Sequence, residues 1–256
     1  MLVPIHQETD PGAVNRILND PGVRPWIADA AEGPIDVSDK VENPNIVFLM
    51  GQFGGVMLMR VMSGIWEVHT FVLPEGRNGW SLEMVRSAQH WLFTKTDAYE
   101  VLTRIPRTHP AALGLAIKAG MIPEYHRPDG VKFNGQVVPV DVYKLSIQDW
   151  MMKADQLERR GAEFHEWMNK EAAKHGYTDP HEPDPEHNRI VGATIEMFMG
   201  GQSVKALMAY NRWAWIARHA TISLLEADPP TIAMDIGRLT LAGGELEFTP
   251  WKKTMN

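Results

Sequence analysis

Cysteine is absent from all 256 residues. That removes disulfides, thiol nucleophiles and thiolate metal sites together, and it leaves the redox compartment open. Long apolar runs are missing too, since no stretch approaches the ~20 apolar residues of a membrane span. The first ten residues, MLVPIHQETD, carry neither the basic head nor the apolar run of a secretion signal. Positive charge is scarce: 25 Lys and Arg stand against 32 Asp and Glu, a formal net charge of −7. Sequence-independent nucleic-acid binders need cations to neutralise phosphates, so the balance argues against that class. The chain does hold nine Trp and fifteen Met, residues favoured on buried or adaptable contact surfaces. Its 44% hydrophobic content is that of a folded domain.

The first part alternates short strands and helices. LVPIH reads as a strand, and Asp10-Pro11 opens a helix with proline in its first turn. NIVFLMGQFGGVMLMRVMSGIWEVHTFVL reads as three strands turning at Gly51–Gly55 and at Ser63-Gly64. In WEVHTFV, alternation puts Glu67, His69 and Phe71 on one face. SLEMVRSAQHWLF spaces Met84, Val85, Ala88, Trp91 and Leu92 as a helix does. YEVLTRI is a strand with Val101, Thr103 and Ile105 on one side, and AALGLAIKAG is a helix ending at Gly120. MIPEYHRPDGVKFNGQVVPVDVYKL then gives strands joined by Pro-Asp-Gly and Asn-Gly turns. The expected class is α/β (α+β), a mixed sheet flanked by helices over residues 1–145.

Near residue 146 the pattern changes. Ile147, Trp150, Met151, Ala154, Leu157, Gly161, Phe164, Met168 and Ala172 form the apolar stripe of one long helix, whose other positions are mostly charged. TDPHEPDPEHNR is a Pro-rich acidic linker. One or two further helices follow, with a break at Gly200-Gly201. A β-hairpin turning at Gly243-Gly244 closes the chain. Residues 146–256 are thus expected to be a helical extension ending in a hairpin.

VLPEGRNGWSLEMV is the segment richest in chemistry. A strand end, Gly76, Arg77 and Gly79 precede a helix start, where unpaired backbone N–H groups and the positive dipole end favour anions. With RTHPAALGLAIKAGMIP, it resembles the GNAT superfamily of acyl-CoA-dependent N-acetyltransferases. The family patterns are V-x-P-x-x-R-G-x-G-x-G/A and N-x-x-A-x-x-L-Y-x-K-x-G-F, and the likeness covers about the first 145 residues. It implies a sheet with two neighbouring strands splayed apart and acyl-CoA in the cleft. It also implies a pyrophosphate on Arg77, Asn78, Gly79, Trp80, Ser81 and Leu82, with His109 at the Asn place of the second pattern. Two departures stand out. Trp80 or a shortened loop crowds the cradle, because bulk there obstructs close approach of backbone to phosphate, and Ala116 replaces the Tyr that protonates the leaving thiolate.

Amine acylation needs a base. Glu67 and His69, on one strand face just before the cradle, are the candidates, against the plainer reading of a surface charge and a hydrogen-bonded histidine. TDPHEPDPEHNR offers Asp179, His181, Glu182, Asp184, Glu186 and His187 without a regular ligand spacing, so no metal site is expected. In NRWAWIARH, Trp213 and Trp215 fall on different helix faces, one internal and one at a contact.

NDPGVRPWI, IWEVHTFVLPEGR and WLFTKTDAYEVLTRIP further resemble GNAT-like proteins encoded among tailed-bacteriophage structural genes. That likeness implies an oligomeric structural protein of the virion, made in a host cytoplasm, with weakened or lost catalysis and no bound cofactor. Residues 146–256 would contact neighbouring subunits. The alternative is a cytoplasmic enzyme that uses acetyl-CoA to acetylate an amine.

Overall fold

A computed structural model describes residues 2–27, 33–77, 79–133, 136–177, 184–217 and 221–251. It divides into two compact units: residues 1–93 with 98–147, and residues 94–97 with 148–256.

The first unit is built on a seven-stranded sheet in the order β1-β2-β3-β4-β5-β7-β6. Its strands are β1 (His6–Glu8), β2 (Ile46–Gly51), β3 (Gly54–Met62), β4 (Ile65–Val72), β5 (Glu100–Pro106), β6 (Ile122–Phe133) and β7 (Gln136–Ser146). Helices α1 (Pro11–Leu18), α2 (Ser38–Val41), α3 (Trp80–Lys95) and α4 (Pro110–Lys118) lie between them. Asp10 caps α1, its carboxylate accepting from the Gly12 amide at 2.9 Å, and Pro11 needs no donor there. Val14, Ile17 and Leu18 of α1 meet Phe48, Met50 and Phe71 of the sheet in one buried cluster. The mixed sheet with flanking helices is the expected class.

β4 and β5 are parallel, and they pair at only three positions: Ile65 with Glu100, Trp66 with Val101, and Glu67 with Leu102. Beyond these β4 stays zipped to β3 as far as Val72–Gly54. β5 likewise stays zipped to β7 as far as Pro106–Val140. The sheet forks after Glu67, giving the parted strands that the resemblance to N-acetyltransferases implies. One reading is corrected at the far edge. Pro128-Asp129-Gly130 is no turn between strands but an irregularity inside β6, whose register slips between Pro123 and Tyr125 and again between Arg127 and Val131. The expected Asn134-Gly135 turn lies outside the described residues.

The second unit holds α5 (Ile147–Lys153, which begins at the junction), α6 (Asp155–Lys174), α7 (Pro185–Met199) and α8 (Ser203–Ala217). The expected single long helix is therefore two. The chain turns extended at Ala154 (φ −88°, ψ 97°), which becomes the N-cap of α6. The predicted stripe is buried: Leu157, Gly161, Phe164, Met168 and Ala172. Phe164 and Met168 pack with Val191 and Ile195 of α7 and with Leu239. Gly201, at φ +84°, breaks the chain between α7 and α8. The C-terminal strands exceed the expected hairpin. β8 (Ser223–Ala227), β9 (Pro230–Met234), β10 (Gly237–Ala242) and β11 (Glu245–Pro250) form an antiparallel sheet in the order β11-β10-β9-β8. The β10–β11 pair turns at Gly243-Gly244, both at positive φ.

Candidate functional site

Glu67 is the last residue of β4 to pair with β5, and it is 2% exposed. A carboxylate so placed demands partners. Its Oε1 lies 3.2 Å from His69 Nε2, on the free arm of β4. Its Oε2 lies 2.9 Å from Arg104 Nη2, on the free arm of β5. One buried acid thus bridges both sides of the fork, while His69 and Arg104 remain about half exposed. The Arg104 contact is an ion pair without hydrogen-bond alignment, so Oε2 accepts no hydrogen bond among the described residues. Burial on its own would push the Glu67 carboxyl up. The hydrogen bond from His69 and the charges of His69 and Arg104 outweigh it and hold the group below the usual glutamate value.

The sequence pointed to Glu67 and His69 but passed over Arg104. Its signal was present: in YEVLTRI, Arg104 alternates away from Val101, Thr103 and Ile105. That puts it with Leu102, the residue that pairs with Glu67.

The expected phosphate loop is a 3-10 turn over Pro74–Arg77, and α3 begins at Trp80. Arg77 does not point to the helix start. Its Nη2 donates to the carbonyls of Gly22 and Val72, and its Nε donates to Val72 at 3.3 Å. Asn78 lies outside the described residues. Gly79 sits at φ +92° with open space where a side chain would be, so its backbone is approachable. Ser81 stands in the first turn of α3, half-buried. The Leu82 amide already donates to the Gly79 carbonyl at 3.1 Å.

Trp80 is half-buried, its ring edge-on to Phe53 with centroids 5.5 Å apart. A Cβ on Gly51 would come within 2.9 Å of the indole, so Trp80 lies back over the β2–β3 turn. A Cβ on Gly76 would meet Phe53, Val72 and Trp80 together at 2.7–3.0 Å, which explains glycine there. The bulk expected to crowd the anion site is thus directed toward Gly51 and Phe53.

His109 is the N-cap residue of α4, without a side-chain cap bond. Its ring stands edge-on to Trp26, and burial pushes its imidazole down from the ordinary value. Ala116 is 6% exposed.

In the second unit, Trp213 stacks on His187 at 5.1 Å and 24°, while Trp215 is 80% exposed. The two indoles take different faces, as the helical spacing implied. Of the acidic linker, residues 178–183 lie outside the described set. Asp184 caps α7, accepting from the His187 amide at 2.7 Å, and Glu186 accepts from Trp213 Nε1 at 3.4 Å. Among the described residues no metal-ligating cluster is found, and no helix is long and apolar enough to cross a membrane.

Among solved structures, the fold is similar to N-acetyltransferases. Spermidine N-acetyltransferase from Vibrio cholerae, in complex with CoA and spermine, aligns with a TM-score of 0.49 at 14% identity, over 58% of this chain and 97% of that one. A GNAT-family acetyltransferase from Bacillus anthracis aligns with a TM-score of 0.47 at 13% identity, over 57% and 98%. No family model matches the sequence, and no curated protein does.

Proposed function

We propose that the first unit takes an acyl-CoA at the fork between β4 and β5 and passes its acyl group to an amine. One observation carries this reading: a fully buried carboxylate at the branch point, ion-paired to a side chain from each free arm. A fold kept only as scaffold would gain stability from apolar packing there, since buried charges are costly to hold. A buried ionisable group perturbed by specific charged partners is a functional-site candidate.

His69 is the base in this scheme. With Nε2–H donating to Glu67, the other ring nitrogen keeps its lone pair for the amine proton, and Glu67 steadies the imidazolium that forms. The acyl-CoA supplies an activated carbonyl carbon and a thiol leaving group. As the amine nitrogen bonds that carbon, the C–S bond breaks and the amine proton passes to His69. With Ala116 at the family's acid position, solvent protonates the thiolate. Anion binding falls to the backbone around Gly79 and the first turn of α3. The test is calorimetric titration of acetyl-CoA, followed by thiol release with amines present. Binding together with amine-dependent release supports the reading, and no heat at millimolar ligand overturns it.

A second reading is a non-catalytic, oligomeric structural protein, such as a virion component. The apolar row on α8 favours it: Val204, Met208, Trp215 and Ile216 are each more than half exposed. Such a surface suits subunit contacts. Size measurement across a concentration series decides it, and a monomer throughout, with no partner, counts against this role.

A further inference from the structure

Two arginines stand on the free arm of β5 or just beyond it, and they are held differently. Arg107 is tied: its Nε and Nη2 donate to the Asp141 carboxylate at 3.0–3.2 Å. Arg104 makes no hydrogen bond among the described residues. Its one partner there is Glu67 Oε2, 2.9 Å from Nη2 but out of hydrogen-bond alignment. Arg104 is also about half exposed, while the carboxylate it meets is buried.

The pairing fixes which way this cation faces. Glu67 lies opposite Leu102, so His69 and Arg104, each two residues further along its arm, stand on the sheet face of Glu67. A further cation on that face, Lys144 opposite Leu102, is held between Glu100 and Glu124. A guanidinium presents parallel N–H donors that match the two oxygens of a carboxylate. Arg104 keeps such donors beside the branch point, across from His69.

Charge at the branch point favours one more anion. With His69 neutral, Glu67 and Arg104 cancel. Once His69 holds the amine proton, the three groups carry one net positive charge. A carboxylate on the acceptor neutralises it. A second amine on the acceptor would add cation to cation, where charges are screened less than in bulk water.

We propose that Arg104 reads a carboxylate on the acceptor, so that the amine acylated at the fork belongs to an amino acid or a similar amine-carboxylate, bound with its carboxylate on the β5 arm and its nitrogen at His69 on the β4 arm. The assignment rests on the acyl-transfer reading above.

The test is thiol release from acetyl-CoA by the full chain, with a panel of amino acids, their carboxamides and putrescine. An amino acid is expected to exceed its carboxamide in kcat/KM about 10- to 100-fold, the worth of a hydrogen-bonded charged pair. The carboxamide's amine is the weaker base, with more of it unprotonated, so intrinsic reactivity runs the other way. In Arg104→Met the ratio is expected to fall to about one, and Arg104→Lys, which keeps the charge without the planar fork, to retain part of it. Losing only a brace on Glu67 would slow both members of a pair alike, so the ratio separates recognition from support. A second readout needs no turnover: phenylglyoxal modification of Arg104, located by peptide mass spectrometry, is expected to slow with N-acetyl amino acids and not with their carboxamides. Turnover with a ratio of one or below, or a ratio that survives intact in Arg104→Met, overturns the assignment and leaves acyl transfer standing. Selective protection of Arg104 in a chain that binds no CoA leaves a carboxylate site and overturns acyl transfer. Where no member of the panel turns over, absence of selective protection overturns the assignment.

Discussion

Gly161 of α6 and Gly192 of α7 meet backbone to backbone. A Cβ on Gly192 would stand 2.0 Å from the Leu157 carbonyl oxygen and 2.9 Å from the Gly161 nitrogen, and one on Gly161 would stand 1.9 Å from the Asn188 carbonyl oxygen. The atoms in the way are main chain, so relief requires the helices to part. Gly192→Ala is expected to cost about 1–3 kcal/mol or more, read as a lower denaturation midpoint of the second unit. Gly114→Ala in α4 is the contrast. Nothing lies within 4 Å of its Cβ, and a helical Ala there is expected to gain about 0.5–1 kcal/mol.

His69→Ala is expected to lower amine-dependent thiol release by about 100-fold or more, the usual contribution of a positioned base. Glu67→Gln, which removes the charge that steadies the imidazolium, is expected to lower the rate without abolishing CoA binding. A His69→Ala variant with full turnover places the base elsewhere.

Glu67 also sets an acid limb of stability. Its folded-state value is held below the ordinary one, so in that window the unfolded chain binds a proton that the folded chain does not. Its contribution is complete above about pH 4.3, the ordinary glutamate value, and it is lost as the pH falls through the folded value. Urea midpoints between pH 3 and 6 are expected to fall less steeply in Glu67→Gln than in the wild-type chain. Parallel curves would mean that His69 and Arg104 do not hold the carboxylate.

Lys205 gives a slope of the same sign at higher pH, but as a burial cost that is relieved. It is 4% exposed, donates to the Thr96 carbonyl at 3.0 Å, and is lowered to about 7 by burial, with the Asp97 charge opposing. Between pH 7 and about 10.4, the ordinary lysine value, the unfolded chain holds a proton that the folded one lacks. Stability of the second unit is therefore expected to rise over that range by an amount on the order of a few kcal/mol. Lys205→Met removes the rise. It is also expected to exceed the wild type at pH 7, because the lost bond to Thr96 is worth only about 1 kcal/mol. Denaturation at pH 7 and pH 10 reads both.

Placing a tyrosine acid at position 116, where the resemblance to N-acetyltransferases implies one, is expected to fail. Ala116 is buried, so Ala116→Tyr overpacks its surroundings at a cost of about 1–3 kcal/mol. Thiol release rising rather than falling in this variant would show that the side chain reaches the cleft.

Local signals read well from sequence where one residue type answers one geometric need. Asp10-Pro11 at the start of α1, Gly120 after α4, Gly243-Gly244 in the β10–β11 turn and the buried stripe of α6 are of this kind. Glu67 and His69 were legible because alternation alone places them together. The failures are cooperative. The break at Ala154 interrupts a stripe that fits one helix, and no cap residue announces it. Pro128-Asp129-Gly130 is turn chemistry, but pairing with β7 carries β6 through it as a bulge. Arg104 needed the partner strand, because only the pairing of Leu102 with Glu67 shows which face it shares. The ties of Arg77 to Gly22 and of Trp26 to His109 span 55 and 83 positions, and no local pattern encodes them.

The outer strand β6 shapes how copies of this molecule can meet. Two register slips and the prolines at 123 and 128 leave no unbroken ladder of donors and acceptors along that margin, so a second chain finds little template for extending the sheet. Concentrated samples are thereby guarded against fibre-like stacking from that side. Contacts through that margin are left to side chains.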